Sequence, residues 1–187
     1  MVGSPRGPVN TFFPSTRRRH PGKIGEMARV AVLTVSDRGA AGEREDAGGP
    51  LIAELALAAG HEVVARAIVP DEREQIAATL RAWADGGAAD VILTTGGTGL
   101  TPRDVTPEAT LAVAEREVPG IAVALVVNGL QHTPFAALTR GVAVTRGRTL
   151  IVNLPGNPKA VRQGMDVLLP LLGHAAELLQ GPVEHGG

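Results

Sequence analysis

The sequence contains no cysteine and no tyrosine, and only three Phe and one Trp among its 187 residues. Without cysteine there is no disulfide, no thiolate metal site and no cysteine nucleophile. Aromatics at 2% leave no stacking platform for single-stranded nucleic acid. An excess of positive charge is missing as well: the formal net charge of −1 provides no basic stripe, so nucleic acid is not an expected partner. No apolar run is long enough to span a bilayer, so a membrane is not expected either. The histidines, His20, His61, His132, His174 and His185, stand apart, with no pair at the helical spacing of zinc ligands. A chain of 187 residues with 44% hydrophobic content is sufficient for one well-filled α/β core and short for two.

Residues 1–27 differ from everything after them, with Pro, Gly, Ser and Arg and no apolar periodicity. The cluster Arg17-Arg18-Arg19-His20 resembles the start of an export signal or a basic arm, but no apolar stretch with a small-residue cleavage site follows. This segment reads as a disordered leader, with Met27 as an alternative start. The domain is expected over residues 28–182, with 183–187 as a flexible tail and a cytoplasmic location.

From Ala28 onward, strand and helix patterns alternate. Arg29 to Val35 is a short β-branched apolar run, as in a strand buried on both faces. Leu51, Ile52, Leu55, Ala56 and Ala59 mark one helix face, stopped by Gly60. A strand from His61 to Val69 follows, then a helix carrying Ile76, Ala77, Leu80, Trp83 and Ala84, and a strand from Asp90 to Thr95. A further helix is expected from Thr106 to Glu117, a hairpin over Val142 to Leu154, and two last helices divided at Pro170. The sum is a single three-layer α/β/α domain, its sheet mostly parallel with one antiparallel strand.

Ligands in such folds sit beyond the carboxyl ends of the strands. Gly96, Gly97, Thr98 and Gly99 occupy such an end, where glycines let the backbone approach a ligand and aim its N–H groups at an anion. The stretch lacks the Gly-Lys-Ser/Thr of a Walker loop and the spacing of a dinucleotide fingerprint. Thr106, Pro107 and Glu108 are explained by the start of a helix, whereas Arg103 and Asp104 are not; they sit near where a phosphate would bind, and Arg103 is expected to contact it. Asp46 in the first loop is either a helix cap or a second acid facing phosphate. Asp46 and Asp104 at one end of the sheet would suit Mg²⁺ completed by water. In the loop Pro155-Gly156-Asn157, Asn157 caps a helix and Lys159 enters its first turn. There a cation opposes the helix dipole by roughly 0.3–1 kcal/mol. Lys159 is either a phosphate contact or a solvated surface residue.

Taken together, Thr-Val-Ser-Asp at 34–37, Asp46 with Gly-Gly-Pro after it, Gly-Gly-Thr-Gly with Pro-Arg-Asp-Val-Thr-Pro-Glu-Ala-Thr, and Leu-Pro-Gly-Asn-Pro resemble the Mog/MoaB family. That family includes bacterial molybdopterin adenylyltransferases and the G domain of gephyrin. The resemblance spans Arg29 to Gly181 and implies Mg²⁺-dependent transfer of AMP from ATP to the terminal phosphate of molybdopterin, releasing pyrophosphate. It implies a homotrimer and a molybdenum-insertion protein as partner. It marks Asp46 and Asp104 as essential acids and metal ligands, and places Gly96 to Gly99 at the nucleotide. Ser36, Asp37, Pro155, Gly156 and Asn157 then line the substrate cleft. Two departures stand out: Gly48 replaces a frequent hydroxyl residue, and Thr139-Arg140 replaces Ser-Arg. A phosphate nucleophile is already anionic and needs no His or Cys base. The alternatives are a non-catalytic molybdopterin carrier or scaffold of the same fold and, more distantly, a nucleotide-binding regulator.

Overall fold

The computed structural model describes residues 10–12 and 27–181. Strands β1 (Asn10–Phe12), β2 (Arg29–Val35), β3 (Glu62–Val69), β4 (Val91–Thr95), β5 (Arg116–Glu117), β6 (Ala143–Arg146) and β7 (Thr149–Leu154) form one sheet in the order β1-β3-β2-β4-β7-β6-β5. The helices are α1 (Asp37–Ala40), α2 (Gly48–Ala58), α3 (Arg73–Asp85), α4 (Thr106–Leu111), α5 (Pro119–Leu130) and α6 (Pro158–Gln180), with a 3₁₀ turn over Pro134–Leu138.

Period-two alternation in β2 explains the three layers. Ala31, Leu33 and Val35 face one core with Ile76, Leu80 and Trp83 of α3 and Ala109 of α4. Val30 and Val32 face the other with Ile52 of α2 and Val161, Met165, Leu168 and Leu172 of α6. Leu168 and Leu172 are fully buried, each contributing about 1.5–3 kcal/mol. β2, β3, β4 and β7 are parallel. β3 pairs on one side of β2 and β4 on the other, so the loops leaving β2 and β4 part company at their carboxyl ends. That divergence opens a crevice.

At the opposite end of the strands, Asp90 gathers the domain. Arg29 donates to it from its amide (2.9 Å), Nε (3.2 Å) and a terminal nitrogen (2.7 Å). The Gln180 amide reaches the same carboxylate from the end of α6 (3.1 Å).

Four expectations need correction. Two strands run against the rest, not one: β6 in the hairpin and β1 on the far edge. β1 comes from the segment that reads as a structureless leader, where Asn10–Phe12 supply a partner for the edge of β3. The other leader residues and those after Gly181 lie outside the described residues. The helix expected to reach Glu117 stops at Leu111. Beyond it the Glu115 amide donates to Thr145 (2.9 Å) and the Val118 amide to Ala143 (2.8 Å), drawing the segment into the sheet beside β6. Finally, α6 continues through Pro170. The proline removes one helical hydrogen bond, but the buried Leu168 and Leu172 hold the turns on both sides to the same core.

Candidate active site

A cleft of about 400 Å³ opens at the crevice between β2 and β4. Its floor comes from strand ends: Thr34, Val35 and Ser36 after β2, Asp71 after β3, Thr95 to Gly97 after β4, and Gly156 to Pro158 after β7. The starts of α2 and α6 also face it, bringing two positive helix ends to one place.

Asp46 turns out to be both a cap and a cleft residue. Its Oδ1 accepts the amides of Gly48 (3.1 Å) and Gly49 (2.9 Å), and its Oδ2 accepts the hydroxyl of the buried Thr34 (2.8 Å). A Cβ at Gly49 would fall 2.4 Å from Asp46 Oδ2 and 2.5 Å from Thr34 Oγ1. Glycine there is what allows α2 to begin against the carboxylate. The glycine at 48 has its own counterpart, since a Cβ would lie 2.9 Å from Thr95 Oγ1. Thr95, whose hydroxyl donates to the Pro155 carbonyl (2.8 Å), thus leaves no room for a side chain at position 48.

The glycine turn is tightly determined. Gly96 has φ 101°, and a Cβ would sit 2.2 Å from the Val35 carbonyl oxygen. After the turn, Asp104 points into the cleft while its Oδ2 accepts the amide (2.9 Å) and hydroxyl (2.7 Å) of Thr101. Burial pushes this carboxyl up, but the Thr101 donors, the Gly99 amide and the charge of Arg140 outweigh it and hold it below the usual range.

A third carboxylate, Asp71, faces the same cleft, and no motif singles it out. Burial raises its pKa, with the nearby Asp37 charge adding to the effect. The two aspartates exchange backbone bonds: the Asp37 amide donates to Asp71 Oδ2 (2.8 Å), and the Asp71 amide to Asp37 Oδ1 (3.0 Å). Its one signal in the sequence is an acid in the Pro70-Asp71 loop beyond a strand end.

Arg103 and Asp37 are not among the residues lining the cleft. Arg103 donates to both oxygens of Asp37 (Nε 3.1 Å, Nη2 2.8 and 2.9 Å) and to Glu72 (3.0 Å). The guanidinium expected on a phosphate is instead neutralised by two carboxylates. It holds Asp37 well below the usual carboxylate range. Ser36 does line the cleft, while its hydroxyl oxygen accepts the Gly39 amide (3.1 Å) to cap α1.

Thr98, Gly99, Pro155 and Lys159 line a second hollow of about 380 Å³ on the other side of the glycine loop. Its walls are apolar, from α5, the 3₁₀ turn and α6, including Leu125, Val126, Phe135 and Leu138. Asn157, whose Oδ1 accepts the Lys159 amide (2.8 Å), borders both spaces.

Among the described residues no group of three or more His, Asp or Glu is arranged to enclose a metal. The donor set does fit an ion shared with substrate phosphates, which takes one or two carboxylates and several waters. A carboxylate offers about four acceptor positions, and Asp46 uses three, while the Thr101 donors occupy only one oxygen of Asp104.

Residues 31–174 match the family described as a probable molybdopterin binding domain. The chain is 42% identical over 156 residues to the molybdenum cofactor synthesis protein cinnamon of Drosophila melanogaster, covering 82% of this chain and 26% of that protein. It therefore spans about a quarter of that relative's length. It is 41% identical over 143 residues to the molybdopterin adenylyltransferase of Haemophilus influenzae, covering 75% of this chain and 72% of the relative. The crystal structure of the molybdopterin biosynthesis enzyme MoaB from Thermus thermophilus superposes with a TM-score of 0.78 at 52% identity, covering 83% of this chain and 98% of that one. The matched segment runs from β2 into α6 and contains every strand end that forms the cleft, so this chain belongs to the molybdopterin-binding domain family.

Proposed function

We propose that this chain is a molybdopterin adenylyltransferase that transfers AMP from ATP to the terminal phosphate of molybdopterin during molybdenum cofactor synthesis in the cytoplasm. One observation carries the reading: two helix N-termini, a glycine turn and the carboxylates of Asp46, Asp71 and Asp104 converge on one cleft. Backbone N–H groups and helix ends favour phosphates, while the acids call for a cation between them and those phosphates.

In the reaction a molybdopterin phosphate oxygen attacks the α-phosphorus of ATP. A new P–O bond forms, the bond to the β-phosphate bridging oxygen breaks, and pyrophosphate leaves. The nucleophile is anionic, so the protein's work is to place two polyanions in line and offset their charge. Asp46 and Asp104 would hold Mg²⁺, which supplies that charge compensation when bound. Thr34 and the Gly48 and Gly49 amides fix Asp46, and Thr101 fixes Asp104. The cleft and the apolar hollow share the glycine loop as a wall, so ligands lying on either side meet over Gly97 to Gly99. Lys159 and Asn157 stand on the hollow side, where they suit the phosphorylated pterin. Burial makes Asp71 more readily protonated than an ordinary aspartate, which eases its place beside the other acids of the cleft.

The assembly we infer is a homotrimer. Helix α5 buries none of its residues within the chain, and Val123, Val127, Leu130, Phe135 and Leu138 are exposed by 60%, 54%, 45%, 75% and 52%. An apolar face of this kind requires covering. A trimer mass by light scattering is the expected result, and a monomer at micromolar concentration refutes it.

The activity is tested by incubating the full chain with molybdopterin, ATP and Mg²⁺ and separating the products. Adenylated molybdopterin with an equal yield of pyrophosphate is expected, abolished by chelation. Bound pterin without product would make the protein a carrier.

A further inference from the structure

Arg140 lies between the 3₁₀ turn and β6, about forty residues from the glycine loop, yet most of its polar contacts go to that loop. Its amide donates to the Thr98 carbonyl (2.9 Å) and its Nε to the Gly99 carbonyl (2.7 Å). One terminal nitrogen donates to the Asp104 carbonyl and the other to the Glu108 carboxylate. Both ends of the segment from Gly99 to Asp104 are thus bound to one guanidinium. The tip between them is exposed, Leu100 by 64%.

Because the peptide group is planar, fixing the Thr98 and Gly99 carbonyls on Arg140 turns the amides of Gly99 and Leu100 the other way. Gly99 lies directly against the Asp104 carboxylate: a Cβ there would fall 3.0 Å from Oδ2. The neighbours Thr139 and Gly141 line the apolar hollow, while Asp104 lines the cleft. A guanidinium has five donors in a rigid fork and holds three separated acceptors at once; an ammonium on a flexible stem does not.

We propose that Arg140 is a positioning residue for adenylyl transfer: from behind the glycine loop it fixes the Gly99 and Leu100 amides and, at the other end of the same segment, the backbone of Asp104, whose carboxylate lines the cleft. The kinetic part rests on the reading of the cleft given above; the loop geometry does not. A purely structural role would lie in the ion pair with Glu108, one of whose oxygens, Oε2, is buried without a partner.

The full chain is compared with Arg140→Lys, Arg140→Ala and Glu108→Gln. In ligand-free protein, amide exchange over residues 97–106 should accelerate roughly tenfold or more in both Arg140 variants, with peptides from β2 and β7 unchanged. Turnover should fall on the order of 10²-fold, with KM for both substrates within about threefold, because a misplaced group costs the chemical step most. Low millimolar guanidinium should restore part of the turnover of Arg140→Ala, and Glu108→Gln should behave like the parent in both assays. Unchanged loop exchange in Arg140→Ala would overturn the proposal. So would a Glu108→Gln variant as impaired as Arg140→Ala, or activity lost only in step with global unfolding and without guanidinium rescue. If the parent protein makes no adenylated product, the reading of the cleft fails, and exchange over 97–106 alone decides the role of Arg140.

Discussion

Replacing Asp46 by Asn removes a charge from the cleft while leaving the start of α2 nearly intact, so it separates chemistry from folding at one position. In the parent, one carboxylate oxygen accepts the amides of Gly48 (3.1 Å) and Gly49 (2.9 Å) and the other accepts the Thr34 hydroxyl (2.8 Å). The Asn oxygen still accepts both amides, and its NH₂ meets the Thr34 oxygen, which accepts once the hydroxyl rotates. No partner is orphaned; charge-assisted bonds become neutral ones of about half the strength, so folding should lose no more than about 1.5 kcal/mol. Asp46→Ala, by contrast, discards the cap at a cost of about 1–2 kcal/mol and leaves Thr34 unpaired. If the charge helps stabilise the phosphates in the transition state, Asp46→Asn should slow turnover by roughly 10²–10³-fold, about 2.7–4 kcal/mol on the barrier. The assay pairs initial rates of adenylated product with urea unfolding and with molybdopterin affinity measured without nucleotide. That affinity should not change. Full turnover in Asp46→Asn would refute the reasoning, as would a rate loss matched by an equal loss of folding stability.

Gly49→Ala places a methyl group 2.4 Å from Asp46 Oδ2 and 2.5 Å from Thr34 Oγ1. It should cost roughly 1–3 kcal/mol of stability and reduce turnover with it; unchanged melting and activity would show that α2 starts elsewhere. His61 is buried, accepts the Ala28 amide at Nδ1 (3.2 Å), and has its pKa lowered from 6.5, chiefly by burial. Its depressed value makes its contribution to stability complete above pH 6.5 and progressively lost as pH falls from there toward the folded-state pKa. Urea midpoints between about pH 7.5 and 5.5 should therefore decline less steeply in His61→Gln, and an identical slope would count against this account.

The layered fold can be read from the chain because its signals are local. β-branched runs such as Arg29–Val35 and helix faces such as Ile76, Leu80 and Trp83 each fit one element, and burial of both follows. Gly96 is legible for the same reason, its positive φ being a property of its own backbone. What escapes such reading is decided by partners distant in sequence. Arg103 looks available until Asp37 and Glu72, brought in from two other strand ends, neutralise it. Asp71 follows a strand end, where a ligand loop is expected, but its exchange of bonds with Asp37 joins two loops that the sequence keeps apart. The helix after Thr106 has apolar spacing enough to reach Glu117, but the free edge of β6 offers stronger pairing. Asp46 is ambiguous between cap and acid for a good reason, since the same side chain serves α2 and faces the cleft.

Asp90 joins the first residue of β2 to the last turn of α6, so the two ends of the β2–α6 unit meet at a single corner. That corner lies at the amino ends of the parallel strands, roughly 20 Å along β2 from the cleft. Sequence continuing from the end of α6 would leave from the far side of the sheet, away from the approach to the cleft. The unit from β2 to α6 thus has its two ends at one pole and its cleft at the other. A unit so arranged can be carried inside a much longer polypeptide, as its match to about a quarter of cinnamon illustrates, without any change to the residues around Asp46 and Asp104 being demanded by the attachment.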